Sequence, residues 1–567
     1  MTKTLRYLKP YGGTVAAGLV LKFIGAVAEL FLPLLLEYII DDVVPTRDMN
    51  MIIILGAAML GCSLLALFGN IFANRLTVKS SGNMTHDLRL DLFSRTCHLS
   101  SSQVDGFGVP SLISRLTSDT YYVNQMVART LRLGIRAPIL ILGGLILAFT
   151  RDIYLACVLL GCVPIVGLTI FIITRKSVPV YFGVQRRQDD MVRDMQENVT
   201  GVRVIKALSK NDYEIRKFDG IVKDLAAEEF KANKIMSLSN PLATLILNLG
   251  LVAVIVVGAF RGNEYGTVLA FLSYFVIILN AMIGLAKIFV VVSRGAASAA
   301  RIESVLDSDV SEKVCDCPEG DGKYKIRFED VNFSYNGVED NLKCVNFGIC
   351  AGQTLGIIGA TGSGKSTVIN LLMRFYDVNS GRILVDGRDV RAYPSAELKS
   401  KFGAAFQNDF LMAASVRDNV AYGREISDDE IYAALDSAQA REFVDGLEGG
   451  LDYNLAQKAN NLSGGQKQRL LIARALAGRP EILILDDSSS ALDYATDAAL
   501  RKALAREYAS VTKVIVAQRI SSVMNADLIL VLDDGEVIGK GTHKELLESC
   551  GEYALIYSTQ MGGEENA

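Results

Sequence analysis

The chemically most specific stretch of this chain is a glycine-rich run that ends in a lysine and two hydroxyl residues. It contains Gly359, Thr361, Gly362, Ser363, Gly364, Lys365, Ser366 and Thr367. The spacing fits G-x-x-x-x-G-K-[ST], in which glycines let backbone N–H groups approach phosphate oxygens and a following helix adds positive potential at its N-terminus. Lys365 is therefore predicted to neutralise the outer phosphates of a nucleotide, and Ser366 is predicted to hold Mg²⁺.

Two further segments carry groups that suit the same chemistry. The apolar run Ile482–Leu485 predicts a strand, and it is followed by Asp486, where P-loop NTPases place a carboxylate for Mg²⁺. A Ser-Gly-Gly sequence before a predicted helix would form a second anion-binding nest, although a plain helix N-cap explains the same residues. That segment contains Leu462, Ser463, Gly464, Gly465 and Gln466.

The part of the chain that precedes these motifs is apolar. Half of the 567 residues are hydrophobic and only 21% are charged. Six stretches approach the ~20 apolar residues that a helix needs to cross a bilayer. They are Val15–Ile40, Met51–Ala73, Leu133–Thr150, Ile153–Thr174, Pro241–Phe260 and Val268–Val292. The net charge of −4 excludes a nucleic-acid binder that relies on bulk positive charge.

Loop charge orients the predicted spans. The short connections carry one arginine each, whereas the long connections 74–132 and 175–240 are rich in arginine and lysine. We count Arg129, Arg132 and Arg136 with the charge of the first long connection. The positive-inside rule then places both long connections and both termini in the cytoplasm.

The two long connections are too long and too helix-like to be simple turns. Polar caps followed by helical patterns predict that the membrane helices continue far into the cytoplasm. The short segments Ser101–Phe107 and Ser209–Tyr213 are predicted to lie at their tips.

Charged residues within the spans are costly in lipid, so they usually face a bundle interior or a water-filled cavity. Lys22 and Glu29 lie in the first span and Lys287 lies in the sixth. Glu29 is the candidate for an acid that faces the substrate. Snorkelling or mutual pairing explains Lys22 equally well.

A polar segment separates the apolar part from a region that reads as an ordinary α/β domain. We predict a transmembrane domain over 1–306, a linker over 307–324 and a nucleotide-binding domain over 325–567. The predicted fold class is a multidomain membrane protein, in which an all-α domain of six membrane helices is fused to an α/β P-loop ATPase domain.

Taken together, the motifs resemble those of an ATP-binding-cassette (ABC) exporter subunit, and the resemblance covers nearly the whole chain. The run Leu462–Arg469 matches the signature motif of that family. The resemblance implies that Tyr335 stacks on adenine, that Gln407 is the Q-loop residue near the metal, and that Ser490–Asp493 is the D-loop. It also implies that the two cytoplasmic tips are coupling helices, and that ATP and Mg²⁺ are the cofactors.

Two positions depart from the pattern of the family. Asp487 stands where the family has a glutamate that polarises the attacking water, and Gln518 stands where a histidine contacts the γ-phosphate. The chain contains only the histidines His86, His98 and His543. Asp487 reaches about 1.5 Å less far than glutamate, and Gln518 carries neither a proton for transfer nor a positive charge. The sequence thus predicts firm binding and slow hydrolysis, unless Asp487 still acts as the base.

The resemblance further implies a partner, because two nucleotide domains of this family pack head to tail around ATP. We expect a second, non-identical half-transporter chain with an intact catalytic centre, which Ser463 of this chain would complete. The expected activity is ATP-driven export of an amphipathic drug, lipid or peptide across a bacterial plasma membrane by alternating access. A homodimer with two slow sites and an ATP-gated regulatory or channel subunit are the alternatives.

Overall fold

The computed structural model describes residues 2–309, 315, 320, 322–407, 409–488 and 491–561. The chain divides into two compact units. The first comprises Met1–Leu99 and Phe107–Asp309, and the second comprises Ser100–Gly106 and Val310–Ala567. Most of the predicted linker 307–324 lies outside the described residues, as do Ser490 of the predicted D-loop and the side chain of Lys287.

The described residues up to Asp309 form α-helices that are joined by short turns and by single 3-10 or π-helical turns. The helices are α1 (Thr2–Arg6), α2 (Gly12–Tyr38), α3 (Met49–Cys97), α4 (Ser101–Phe107), α5 (Val109–Ser114), α6 (Thr120–Arg129), α7 (Arg136–Arg151), α8 (Ile153–Thr200), α9 (Val202–Ala207), α10 (Asn211–Ser237), α11 (Ser239–Arg261) and α12 (Tyr265–Leu306).

Six helical segments of the described chain are long and apolar enough to cross a membrane, which confirms the six predicted spans. They are Lys3–Thr46, Met49–Cys97, Val109–Arg151, Ile153–Thr200, Asn211–Arg261 and Tyr265–Leu306. The 49 residues of α3 extend about 74 Å at 1.5 Å per residue, whereas the hydrocarbon core is about 30 Å thick. Helices of this length continue beyond the bilayer, as their sequences predicted.

The two predicted cytoplasmic tips have different outcomes. The helix α4 coincides with the predicted segment Ser101–Phe107. Near the other predicted tip, the short helix α9 ends before the segment Ser209–Tyr213 begins. Ser209 has a φ of +52°, so the backbone turns there, and α10 starts two residues later.

Small residues let α2 and α3 approach each other closely. Gly25 and Gly69 are neighbours, and a Cβ added to Gly69 would lie 3.1 Å from the backbone oxygen of Leu21. Lipid tails are as apolar as the side chains, so the hydrophobic effect does not drive helices together in a membrane. Close van der Waals packing of this kind does. This contact positions the part of α2 that carries Lys22 and Glu29.

The second unit is an α/β domain, apart from α4. Its strands are β1 (Ile326–Phe333), β2 (Leu342–Ile349), β3 (Thr354–Gly359), β4 (Ser380–Val385), β5 (Arg388–Asp389), β6 (Phe402–Ala405), β7 (Ile482–Asp486), β8 (Thr512–Val516), β9 (Leu528–Asp533) and β10 (Glu536–Gly541). Its other helices are α13 (Lys365–Leu372), α14 (Ser395–Ser400), α15 (Val416–Ala421), α16 (Asp428–Ser437), α17 (Arg441–Asp445), α18 (Gly464–Ala477), α19 (Tyr494–Glu507), α20 (His543–Ser549) and α21 (Gly551–Met561).

Two sheets organise this unit. The smaller sheet is antiparallel with the order β2-β1-β4-β5, and the larger has the order β10-β9-β3-β8-β7-β6. Strands β9, β3, β8, β7 and β6 run parallel to one another, whereas the edge strand β10 pairs antiparallel with β9. Helices cover such sheets on both faces, which explains why Ile482, Leu483 and Ile484 form an unbroken and fully buried apolar run.

Candidate nucleotide site

Four parallel strands bring the predicted site residues to one edge of the larger sheet. Strand β8 lies between β3 and β7, and Asp486 at the end of β7 pairs with Val516 at the end of β8. The phosphate loop follows β3, Asp487 follows β7, Gln518 follows β8 and Gln407 follows β6. Ligands of α/β sheets bind outside the carboxyl ends of the strands, so this edge is the candidate site.

The phosphate loop adopts a backbone shape that depends on glycine. Gly362 and Gly364 have φ values of +89° and +98°. A Cβ on Gly364 would lie 2.9 Å from the backbone oxygen of Asn341. Ser363 between them is buried and donates its N–H to the carbonyl oxygen of Ala360 at 3.2 Å. The loop is thus a tight turn before α13. Thr361, which belongs to the same loop, is exposed.

The ammonium of Lys365 is buried at the start of α13. It donates to the carbonyl oxygens of Gly359 at 2.9 Å and Ala360 at 2.6 Å. Burial lowers the pKa of Lys365, while the charges of Asp486 and Asp487 act in the opposite direction. A buried ammonium that is held largely by neutral oxygens is well suited to an anionic ligand.

Ser366 and Asp486 form a pair that fits Mg²⁺. The hydroxyl of Ser366 donates to Oδ2 of Asp486 at 3.2 Å. Asp486 is only 5% exposed, and burial raises its pKa. Mg²⁺ takes oxygen ligands, usually one or two from the protein beside phosphate oxygens and water. The oxygens of Ser366, Asp486 and the Gln407 side chain provide this kind of donor set.

Tyr335 presents an exposed aromatic ring next to the phosphate loop. Its hydroxyl donates to Oγ1 of Thr367 at 3.4 Å and accepts a hydrogen bond from Asn370 at 3.1 Å. Its ring packs edge-on against Phe333 and Tyr376, with centroids 4.8 Å and 5.0 Å away. The side chain is 46% exposed, so the ring can offer a free face to a planar base.

Asp487 is held by two neutral amides. Its Oδ2 accepts hydrogen bonds from Gln407 at 3.1 Å and from Gln518 at 3.3 Å. Its backbone is left-handed, with a φ of +48°. Burial raises the pKa of Asp487, whereas Lys365 lowers it. His543 at the start of α20 lies 2.8 Å from the hydroxyl of Tyr553 in α21, so it does not take the place of a histidine at position 518.

The segment Leu462–Gln466 forms the N-terminus of α18, where the structure has a helix cap, while anion binding there stays a prediction. Ser463 accepts from the N–H of Gln466 at 3.3 Å, and Gln466 accepts from the N–H of Ser463 at 2.9 Å, which is a capping box. Leu462 is buried, whereas Ser463 and Gly464 are exposed. A Cβ on Gly465 would lie 3.1 Å from the backbone oxygen of Ala491 in the predicted D-loop.

Glu29 forms an ion pair within the first unit. Its Oε2 accepts from a guanidinium nitrogen of Arg136 at 2.5 Å, and its side chain is 27% exposed. Lys22 donates instead to the amide oxygen of Asn74 at 3.0 Å. Lys22 and Glu29 therefore have different partners. The partner of Glu29 is an arginine that lies 107 residues further along the chain.

Three basic residues that the sequence assigns to loop charge have a different position in the structure. Arg129, Arg132 and Arg136 all line a cavity between the helices of the first unit. Their spacing of three and four residues was the available signal, since residues spaced in this way share one helix face.

Three kinds of comparison relate the chain to known proteins. It matches the ABC transporter transmembrane region over residues 15–282 and the ABC transporter domain over residues 342–490. The ABC transporter ATP-binding protein YfiB of Bacillus subtilis is 35% identical, over 100% of this chain and 99% of its own. The ATP-dependent lipid A-core flippase of Salmonella typhimurium is 29% identical, over 97% of this chain and 96% of its own.

A solved structure shares the fold. The structure of a bacterial Atm1-family ABC exporter with ATP bound superposes with a TM-score of 0.83 and covers 97% of this chain and 98% of its own. The sequence identity to that exporter is 23%, so the similarity concerns the architecture of six membrane helices fused to an α/β nucleotide-binding domain.

Proposed function

Because the chain belongs to the ABC transporter family, we propose that it is the slow half of a heterodimeric exporter. In this proposal its own ATP site binds nucleotide but hydrolyses it slowly, while its signature segment completes the fast site of a different chain. The observation that carries the proposal is the carboxylate of Asp487, which accepts hydrogen bonds from the amides of Gln407 and Gln518.

These amides are poor partners for a general base. Neither amide side chain can take up a proton, and the hydrogen bonds that both donate stabilise the carboxylate of Asp487 and so make it a weaker base. Both hydrogen bonds are accepted by the same oxygen, Oδ2. Loss of general-base positioning typically costs about 10²–10⁴-fold in rate.

Nucleotide binding does not depend on Asp487. Lys365, the glycine backbone and the ring of Tyr335 supply the contacts with phosphate and base, and Ser366, Asp486 and Gln407 would hold Mg²⁺. When bound, Mg²⁺ supplies positive charge that neutralises the phosphates. The chain is thus equipped to hold ATP without splitting it rapidly.

Two surfaces support the presence of a partner chain. The exposed N-terminus of α18 at Ser463 and Gly464 presents backbone N–H groups that suit phosphate oxygens. Around the α9 tip, Val204, Leu208 and Ile215 are each more than 60% exposed. Such an apolar surface on a cytoplasmic tip is typical of an interaction site.

The proposed cycle is alternating access. ATP binding would close the nucleotide-binding domains of the two chains, and the cytoplasmic tips would transmit that movement to the membrane helices. Hydrolysis, mostly at the partner's site, would reset the cavity to face inward. The lipid A-core flippase among the relatives favours a lipid-like amphipathic substrate, in keeping with the drug, lipid or peptide expected from the sequence.

The decisive test restores a catalytic centre on this chain while the partner's site is weakened. We expect Ser463→Ala to lower ATPase turnover of the assembled complex, because Ser463 would complete the partner's site. Adding Asp487→Glu with Gln518→His should then raise turnover at least tenfold, within the range attributed to general-base catalysis. Adding Lys365→Ala to that variant should remove the gain, since the gain must arise at this chain's own loop.

Asp487→Asn separates the proposal from the interpretation in which Asp487 still acts as a base. We expect turnover of the otherwise native complex to stay within about twofold, because a base worth 10²–10⁴-fold is not in use. A large loss on Asp487→Asn, with nucleotide affinity intact, would contradict the proposal.

The two alternatives make different predictions. A homodimer requires that the chain purified alone pairs with itself and hydrolyses ATP during transport. A channel subunit lets solute run down its gradient in reconstituted vesicles but cannot concentrate it. Purification with and without the co-expressed partner, followed by transport in vesicles, distinguishes all three.

A further inference from the structure

A cationic cavity lies among the helices of the first unit. Its volume is about 610 Å³, and its lining includes four basic side chains, Lys22, Arg129, Arg132 and Arg136. Ligand sites usually measure about 300–1,000 Å³. Because residues of α2, α3, α6, α7 and α12 all contribute to the lining, the cavity lies within the bundle of helices that transport requires to move.

The three arginines converge on the cavity from one continuous stretch of helix. Arg129 ends α6, Arg132 lies in the π-helical turn Thr130–Gly134, and Arg136 starts α7. Seven residues of helix place the first and last about 10 Å apart along the axis. Lys22 faces them from α2, so positive charge approaches the cavity from two sides.

Most of this charge has no carboxylate to balance it. No carboxylate is among the described residues that line the cavity. Lys22 is 4% exposed and donates to the neutral amide of Asn74, and Nε of Arg132 donates to the carbonyl oxygen of Ala128 at 3.1 Å. Of these four side chains, only Arg136 has an ion-pair partner among the described residues, Glu29, so the other three charges are not paired there.

Arg136 itself retains capacity for a ligand. Glu29 engages one terminal nitrogen of its guanidinium. Its Nε is buried and has no hydrogen-bond partner among the described residues. A buried donor without a partner is unfavourable, and an arginine fork is the group best matched to the paired oxygens of phosphate or carboxylate.

We propose that this cavity binds the anionic headgroup of the exported substrate, a phosphate or dicarboxylate group with close to two negative charges. The apolar part of the substrate would lie against Leu67, Leu133 and Ile288, which complete the wall. Glu29 then positions Arg136 and does not bind a cationic substrate, which the surrounding positive charge repels. The inference rests on the proposed function in taking the complex to export amphipathic molecules.

The test compares amphiphiles that differ only in the charge of the headgroup. The assembled complex in phosphatidylcholine nanodiscs, without nucleotide, is titrated with tetradecyl phosphate and with tetradecyltrimethylammonium, and empty nanodiscs correct for partition into lipid. We expect the phosphate to bind at least tenfold more tightly than the ammonium.

Arg132→Gln and Arg129→Gln test the site itself. Neither substitution deprives a carboxylate of its partner among the described residues, so both variants are expected to fold. Each should weaken the binding of tetradecyl phosphate about tenfold, as expected for loss of one charged hydrogen bond, and Arg132→Lys should restore part of it. Arg75→Gln is the matched control, because it removes an exposed arginine of α3 that does not line the cavity.

Three outcomes would overturn the inference. The first is equal affinity for the ammonium and the phosphate, and the second is wild-type affinity in both arginine variants. The third is an anionic phospholipid that co-purifies in an Arg132-dependent manner and that tetradecyl phosphate does not displace, which would identify a structural lipid site. These measurements use no ATP. A negative result here would therefore be distinguishable from a negative result in the ATPase test on Asp487 and Gln518.

Discussion

Gly364 occupies a backbone conformation that other residues adopt only at a cost. Its φ is +98°, and an added Cβ would lie 2.8 Å from Leu342 and 2.9 Å from the backbone oxygen of Asn341. The strained backbone alone costs about 1–3 kcal/mol, and a contact below 3 Å with a fixed backbone atom adds to it. Substitution of Gly362 would show the cost of the backbone conformation without the clash, because its φ is also positive, at +89°, but its added Cβ would have no atom within 4 Å.

Gly364→Ala should therefore weaken ATP binding more than Gly362→Ala does. We expect a loss of at least tenfold for Gly364→Ala, since the loop must move to admit the methyl group, and a smaller loss for Gly362→Ala. Gly551→Ala is the control, because Gly551 has neither a positive φ nor an atom within 4 Å of its added Cβ. Titration with a fluorescent ATP analogue measures all three, and equal losses at Gly362 and Gly364 would contradict the clash.

A hydrogen bond from Tyr376 connects the helix α4 with the α/β domain. The Tyr376 hydroxyl donates to Oδ2 of Asp105 at 2.5 Å. Burial and the nearby Asp105 raise the pKa of Tyr376, so the hydroxyl remains a donor at neutral pH. The same ring packs at 90° against Tyr335, the predicted base-stacking residue. One side chain thus joins the nucleotide site to a cytoplasmic tip.

Tyr376→Phe should uncouple the helix α4 from the candidate nucleotide site while preserving the packing of the ring. We expect nucleotide affinity to change less than twofold, and substrate transported per ATP to fall about tenfold, because a charge-assisted hydrogen bond contributes about 1.5–3 kcal/mol. Tyr393→Phe is the control, since it removes a buried hydroxyl that donates to the carbonyl oxygen of Val385 at 2.9 Å. Unchanged coupling in Tyr376→Phe would show that α4 is held by other contacts.

At the scale of the whole molecule, the proposed function gives the chain halves of two different ATP sites. Its phosphate loop and Asp487 lie at the sheet edge, whereas Ser463 caps α18 and is exposed. In the proposed heterodimer the first half belongs to a slow site and the second to a fast one. A change at Ser463 should therefore affect the fast site, although its local role is only that of a helix cap.

Ser463→Ala should lower ATPase turnover by at least tenfold, whereas loss of an N-cap alone costs only about 1 kcal/mol of stability. Ser427→Ala is the matched control, because Ser427 forms the same kind of capping box with Glu430 at the start of α16. We expect both variants to lower the thermal midpoint of the complex by similar amounts and only Ser463→Ala to lower turnover. Equal ATPase activity in the two variants would restrict Ser463 to capping.

Much of the fold could be predicted because its signals are local. Each membrane span is a continuous apolar run, and the loop Gly359–Thr367 is a fixed spacing of residue types between a strand and a helix. The sequence also predicted the bounds of α4. It did not predict those of α9, which lies before Ser209–Tyr213, because serine does not indicate the left-handed φ at which the chain turns at Ser209. Asp487 and Gln518 were identified as departures only against the pattern of the family that the chain resembles, and their effect on hydrolysis stays a prediction.

The sequence by itself determined which residues could contact phosphate, and which segments could enter a membrane, because both properties depend on neighbours along the chain. Tertiary structure alone decided that Glu29 pairs with Arg136 and that Arg129 and Arg132 face Lys22 across a cavity. Those contacts depend on how α2, α6 and α7 are rotated about their axes. For α2, close packing of Gly25 against Gly69 of α3 constrains that rotation, and hydropathy does not encode such contacts.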